Sequence, residues 1–329
     1  MLQLGVIGTN WITRQFIEAV QTTHTFNLLT IYSRTVAHAQ NLANQLAKPE
    51  VAITTDLTDF FNNPRLDVVY IASPNSLHYH YICQAIRAHK QVIVEKPLVS
   101  TRREFLKIQE LLTQYPDVFV LEAARHIHEN EFKLLQKQVH NLPQIDGATL
   151  VYQKYSSRYD LVLAGQEPNI FSPKFSGGAL YDLGVYLLYD ALCLFGFPQA
   201  AHYFPQMLAT GVDGQGTIIL QYPHFNATLL VGKISNSNLP SEIYSGKQTL
   251  SFSDGGTIRK IWNNYNTWQL NAPSHNPMLA EAQTFAQILT EHDQHQFQTL
   301  WKLADQVNQL LTQIRLTAKI KFAADRNEV

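Results

Sequence analysis

The first 122 residues alternate between short, apolar, β-branched runs and amphipathic segments, and this alternation constrains the fold more than any other feature. Strands are expected at 3–7, 26–33, 51–53, 68–72, 91–95 and 118–122. Helices are expected from 11 to 20 and at 36–45, 57–62, 77–88 and 101–113. A strand that is apolar on both sides must be covered on both faces, and a helix between successive strands makes them pair in parallel. Six such strands predict a doubly wound α/β sheet of the dinucleotide-binding type.

The first strand runs into Gly8-Thr9-Asn10-Trp11-Ile12-Thr13 and then a helix. Strand, tight turn and helix form the context that a dinucleotide fingerprint requires. Gly8 takes the first glycine position, Asn10 the second and Thr13 the third. Asn tolerates left-handed backbone better than other non-glycine residues, so it is expected to sustain the turn. The helix amino terminus would receive a pyrophosphate, which makes Gly8, Thr9, Asn10, Trp11 and Ile12 candidate cofactor contacts. The second strand ends in Tyr32-Ser33-Arg34-Thr35, with no acid to hold ribose hydroxyls. Ser33 and Arg34 would instead bind and neutralise a 2′-phosphate, which favours NADP over NAD.

Two further segments carry chemistry. Gln91-Val92-Ile93-Val94-Glu95-Lys96-Pro97 is a buried strand closed by a charged pair and a proline, which stops the strand just past Lys96. The carboxyl end of a parallel strand is where open α/β sheets bind ligands. The run from Gly177 to Leu194 reads as a helix that is apolar nearly all round, hence buried, yet it carries Asp182, Tyr186 and Asp190 at i, i+4 and i+8. Buried carboxylates are costly unless paired. Either a buried cation satisfies this stripe or it faces a pocket.

Taken in order, Gly5-Val6-Ile7-Gly8, Tyr32-Ser33-Arg34, Ile71-Ala72-Ser73-Pro74-Asn75-Ser76-Leu77-His78, Glu95-Lys96-Pro97 and Gly177-Gly178-Ala179-Leu180-Tyr181-Asp182-Leu183-Gly184-Val185-Tyr186 resemble the Gfo/Idh/MocA (glucose-fructose oxidoreductase / inositol dehydrogenase) family. Many members carry His where this chain has Tyr186. The tyrosine form is similar to the branch containing dimeric dihydrodiol dehydrogenase. The resemblance implies Lys96, Asp182 and Tyr186 as catalytic residues, with Ser73, Pro74, Asn75, His78, Glu95 and Lys96 beside the cofactor. It also implies a homodimer or homotetramer built through the C-terminal sheet. Two departures stand out: the altered glycine turn, and Glu122-Ala123-Ala124-Arg125-His126 in place of the Trp-Arg run of many members.

Beyond residue 122 the pattern changes, giving a dinucleotide-binding domain at 1–122 and a substrate and oligomerisation domain at 123–329. Strands at 148–155, 201–208, 216–222, 227–233, 241–245, 249–253, 256–262 and 264–270 predict an α+β unit with a large, mostly antiparallel open sheet. Helices at 278–291 and 297–317 close the chain, and a charged tail from Asp325 is expected to fray. Tyr152, Tyr155 and Tyr159 read as sheet packing. At a net charge of −1, no basic stripe points to nucleic acid or to an anionic membrane, and no apolar run reads as a span. Cys83 and Cys193 read as core thiols of a cytoplasmic protein. The pairs His78/His80 and His126/His128 lack companions at ligand spacing, so no metal is expected.

The chemistry expected is hydride transfer between nicotinamide and a carbinol carbon of a sugar, polyol, cyclitol or dihydrodiol. Tyr186 would exchange the hydroxyl proton. A phenol is a poor base at neutral pH, and the Lys96 ammonium would stabilise its anion. Asp182 would orient Lys96 or a substrate hydroxyl. Two other classes remain open at this level: an NAD-dependent glycosidase of the same fold, and a non-catalytic NADP-binding sensor.

Overall fold

The computed structural model describes residues 1–253, 255–270 and 276–326. Asp254, expected in a turn, and tail residues 327–329 lie outside that range. The strands β1 (Leu2–Ile7), β2 (Phe26–Tyr32), β3 (Ala52–Thr54), β4 (Val68–Ile71), β5 (Gln91–Glu95) and β6 (Val120–Ala123) form one all-parallel sheet in the order β3-β2-β1-β4-β5-β6. Its crossovers carry α1 (Trp11–Thr22), α2 (Val36–Gln45), α3 (Leu57–Phe61), α4 (His78–Arg87) and α5 (Arg102–Gln114). All four residues of β4 are buried, as a strand covered on both faces demands. The order reverses between β1 and β4, and the crevice above that switch point opens between the loops after Ile7 and Ile71.

The chain continues through α6 (Asn130–His140), β7 (Gly147–Gln153), α7 (Tyr159–Leu163), α8 (Val185–Phe195), β8 (Ala200–Met207), β9 (Asp213–Gln221), β10 (Asn226–Gly232), β11 (Ser241–Ser245), β12 (Gln248–Phe252), β13 (Ile261–Trp262) and β14 (Thr267–Trp268). Among the described residues these strands order as β14-β13-β12-β11-β7-β10-β9-β8. The sheet is antiparallel except where β7 and β10 run parallel at its centre. The strands expected at 256–262 and 264–270 are cut to two residues each, because little of either pairs with a neighbour. The helix α6 was not anticipated at all.

Two helices end the chain, α9 (Leu279–Glu291) and α10 (Gln294–Thr317). The core of the second unit gathers α8 and the far half of α10 (Val307, Leu310, Leu311, Ile314) on the inner face of its sheet. Yet α9 does not stay there: Met278, Ala282, Phe285 and Ile288 are buried with Phe16, Tyr70 and Phe119 in the core of the first sheet. Although α9 follows the second sheet in the chain, its apolar stripe packs on the α1 side of the first sheet.

The tail expectation also changes at its first residue. The Asp325 carboxylate holds the fully buried Arg315 guanidinium at 2.7 and 2.8 Å and accepts from the Phe322 N–H, so the chain is tied down there. The stretch Pro173–Phe195 is, contrary to expectation, long and apolar enough to cross a membrane by composition. In the fold it is a core element, with 72% of its most apolar window buried.

Candidate active site

Gly8 sits at φ +112°, and a Cβ there would lie 2.5 Å from the Ala72 carbonyl oxygen, so the crevice between β1 and β4 closes around a position only glycine can fill. The next step differs from expectation. Asn10 is extended (φ −85°, ψ 177°), not left-handed, because its Oδ1 caps α1 by accepting from the Ile12 and Thr13 amides. Its Nδ2 donates to the Ala72 carbonyl at 3.2 Å and ties the two crevice loops together. An anion at this terminus therefore shares it with the Asn10 cap. Thr13, in the third glycine position, is fully buried. Trp11, 68% exposed, presents its indole at the rim.

Asn10, Trp11, Ile12, Ser73, Asn75, Glu95, Lys96, Asp182 and Tyr186 all line one cavity of about 520 Å³. The structure thus brings Lys96 from the first sheet together with Asp182 and Tyr186 from the second unit. Asn75 bridges the same boundary by donating to the Ser176 carbonyl at 3.0 Å. Gly8, Thr9 and Pro74 belong to the loops behind this lining. Ser33 and Arg34 follow β2, away from the cavity lining; Ser33 is buried and accepts weakly from the Thr35 N–H at 3.4 Å, while Arg34 is exposed. His78 is placed differently from expectation. It is fully buried, and its ring nitrogens lie 3.0 Å from the Pro97 carbonyl and 2.9 Å from the Ser73 carbonyl, so it braces the loops from beneath and does not face the cleft.

The apolar helix begins with a wide turn, Leu180–Gly184, of π geometry, which passes into α8. Gly178, at φ +113°, allows this start, because a side chain there would strike the Asp213 carboxylate that accepts from the Leu180 N–H. The wide turn breaks the i, i+4, i+8 register, so the three polar residues find separate partners. Asp182 Oδ1 accepts from Lys96 Nζ at 3.0 Å, and Lys96 also donates to the Asp182 carbonyl at 2.9 Å. Asp182 Oδ2 lies 2.8 Å from Lys233 Nζ. Asp190, 1% exposed, lies 3.1 Å from His126 Nε2. The Tyr186 ring packs between Lys96 Nζ (4.9 Å from its centre), the His126 ring (4.8 Å) and the edge of Tyr152 (5.4 Å).

These placements fix the charges. Burial by itself would raise the Asp182 carboxyl, but Lys233 and Lys96 outweigh it and hold the group well below the usual carboxylate range. Burial opposes the Lys96 charge, and the neighbouring Tyr186, Asp182 and Glu95 groups more than restore it. Glu95 accepts from the Tyr70 hydroxyl at 2.6 Å, and burial raises its carboxyl. Glu122, half-buried and receiving the Tyr189 hydroxyl and the Leu98 N–H, is pushed up to about 7 by loss of solvent. Arg125 reaches the cavity but is held by Glu129 at 3.2 Å and by the Gly256 carbonyl at 3.1 Å.

Sequence reasoning missed Lys233, which follows the apolar run of β10; a lysine closing a buried strand was the available signal. It also assigned Tyr152 and Tyr155 to packing, whereas both line the cavity. Among the described residues no three His, Cys, Asp or Glu groups gather as a metal would require.

Comparison with known proteins adds four matches. Residues 2–122 match the oxidoreductase family with an NAD-binding Rossmann fold, Gfo/Idh/MocA. The uncharacterized oxidoreductase YgjR of Escherichia coli is 35% identical over 99% of both chains. The scyllo-inositol 2-dehydrogenase (NADP(+)) IolU of Bacillus subtilis is 32% identical over 99% of this chain and 100% of its own length. In fold, the chain is similar to KijD10, a 3-ketoreductase from Actinomadura kijaniata, with a TM-score of 0.82, 18% identity and coverage of 96% and 97% of the two chains.

Proposed function

The chain belongs to the Gfo/Idh/MocA family of NAD(P)-dependent oxidoreductases, and from that premise we propose that it is an NADP-dependent dehydrogenase of a cyclitol or closely related polyol, of the tyrosine type, working through Lys96, Asp182 and Tyr186. The observation that carries the reading is the meeting of these three side chains in one cavity at the switch point of the parallel sheet. The cyclitol class is supported by the similarity to a scyllo-inositol dehydrogenase over the whole chain. A cavity rimmed by hydroxyls and ammonium groups suits a ring that bears a hydroxyl on every carbon.

The residues present fit a dinucleotide. Gly8 leaves the crevice open, Trp11 offers a flat apolar surface, and Arg34 stands exposed after β2 with no acid beside it. The N-cap Thr35 makes no side-chain cap bond to α2, which leaves that terminus available to a 2′-phosphate beside Arg34. When bound, the nicotinamide supplies a two-electron hydride acceptor or donor. The protein moves the proton: in oxidation the Tyr186 oxygen takes it from the substrate hydroxyl, and in reduction returns it to the carbonyl oxygen. An ammonium has three N–H donors. Asp182 engages two of those of Lys96 and leaves the third for the substrate oxygen, where negative charge develops.

A cytoplasmic setting is supported by two free thiols, Cys83 and Cys193. Subunit contact through the open face of the second sheet is supported by the exposed Phe204 and Met207 on β8. The deciding experiment is a panel of cyclitols, polyols and sugars followed at the nicotinamide absorbance, with NADP and NAD in parallel. The expected result is turnover of a cyclitol with NADP. Activity confined to non-hydroxylated substrates, or none at all, refutes the reading.

A further inference from the structure

Lys233 stands one residue past β10, where the second sheet reaches the cavity. Its backbone is fixed on both sides: its N–H donates to the Gly214 carbonyl at 2.8 Å, and its carbonyl accepts from the Ser156 N–H at 2.9 Å. Only 2% of its side chain is accessible. The ammonium lies 2.8 Å from Asp182 Oδ2, donates to the Ile170 carbonyl at 3.0 Å and sits 4.4 Å from the centre of the Phe171 ring. A lysine in such a place carries a large desolvation cost unless its charge is matched. The match it finds is shared, because Lys96 holds the other oxygen of the same carboxylate at 3.0 Å. Two ammonium groups on two different elements thus grip one carboxylate from opposite ends.

The sharing has a geometric consequence. With Lys96 alone, the Asp182 carboxylate is free to turn about its side-chain bonds and to follow that flexible ammonium. With Oδ2 anchored to a rigid strand end, Oδ1 becomes a fixed acceptor, and the direction of Lys96 is fixed with it. The other charged and titratable groups near the pair are Glu95 on β5, Glu122 on β6, Arg125 and His126 after β6, His78 on α4 and Tyr186 on α8, with Asp213 on β9 facing Lys233. None of these bonds to Asp182 Oδ2 in place of Lys233.

We propose that Lys233 is a positioning residue of the reaction, holding Asp182 so that Lys96 is aimed at the reacting oxygen. This rests on the oxidoreductase reading above. The test uses Lys233→Met, Asp182→Asn and the double variant on the full chain. Lys233→Met leaves Asp182 paired with Lys96, so no lone buried charge is created; Lys233→Gln, which keeps a donor, is the second variant.

Expected for Lys233→Met is a fall in kcat of about ten- to a hundred-fold, the cost of a small misplacement. NADPH affinity, read by fluorescence titration, stays within about twofold. The limb of the oxidation pH–rate profile that reports the base moves up by about one unit, because positive charge has been removed. In the Asp182→Asn background, Lys233→Met adds no further loss. A folded Lys233→Met enzyme with wild-type kcat and pH profile overturns the inference, as do losses that multiply in the double variant. Failure of both Lys233 variants to fold makes the residue structural and also overturns it. If the wild type turns over and Tyr186→Phe does not, an unaffected Lys233→Met sinks this inference alone. A wild type inactive on the whole panel sinks the oxidoreductase reading and this inference with it.

Discussion

Lys96 Nζ lies 4.9 Å from the centre of the Tyr186 ring. The lysine directly follows β5 of the first sheet and the tyrosine lies in the first turn of α8, packed on the second, so the contact exists only when the two units are docked. The docked units thus hold a positive charge against the Tyr186 ring, a favourable cation–π geometry.

Tyr186→Phe is expected to cost about 10²–10⁴ in turnover, as loss of a general acid does. The change removes only a hydroxyl, and the ring keeps its packing against His126 and Tyr152. Thermal stability and NADPH affinity should stay at the wild-type level. Initial rates set beside a fluorescence titration check this. Unchanged turnover on the true substrate would remove Tyr186 from the chemistry and leave Lys96 as the proton carrier.

Arg34→Ala is expected to weaken NADP by about ten- to a hundred-fold and to leave NAD nearly unchanged. The side chain is exposed after β2, so its loss does not disturb the core. Titration with both cofactors decides the matter, and an equal loss for the two would show that Arg34 does not meet the 2′-phosphate.

Lys96→Met is expected to abolish most turnover without unfolding the protein. Asp182 remains paired with Lys233 at 2.8 Å, so the substitution leaves no unmatched buried carboxylate. Asp182→Asn is the harsher change, because it strands two ammonium groups at once. Comparing the two melting temperatures tests this ordering. A lower value for Lys96→Met would mean that Lys233 does not compensate Asp182.

The parallel sheet was legible because its information is local and repeated. Val68–Ile71 and the central Val92-Ile93-Val94 of β5 are apolar, and such strands have few alternatives to burial on both faces. The second sheet was legible only in part. Its central pairing, β7 parallel to β10, joins residues about eighty positions apart, and nothing within either strand specifies it. The site showed the same division. Lys96, Asp182 and Tyr186 stood out as polar residues in apolar surroundings, whereas Lys233 looked like an ordinary strand end until the fold turned it inward. Asn10 was assigned to the right place for the wrong reason: its side chain caps a helix, and its backbone needs no left-handed turn.

Two buried histidines and two half-buried glutamates are expected to pull stability in opposite directions as the pH changes. His126 and His128 are buried and held neutral, their pKa values pushed down to about 3 from an ordinary 6.5. Their contribution is present above pH 6.5 and is lost as the pH falls toward 3. Between pH 7 and pH 5 each would cost about 2 kcal/mol, because the unfolded chain takes up a proton that the folded one refuses. Glu122 and Glu129 run the other way. Burial pushes both up to about 7 from 4.5, so their contribution is fully present below pH 4.5 and is lost as the pH rises through 7. Over the same interval each gives back about 2 kcal/mol on acidification. These four contributions nearly cancel one another, so the wild-type profile does not reveal any one of them. Single variants expose them. His128→Leu should make the urea-unfolding free energy rise on going from pH 7 to pH 5, relative to wild type, by about 2 kcal/mol. Glu122→Gln still accepts from the Leu98 N–H and retains a partner for the Tyr189 hydroxyl, and should make the free energy fall by a similar amount. If both variants follow the wild-type pH dependence, neither side chain changes its protonation between the folded and unfolded states, and the two sets do not oppose each other.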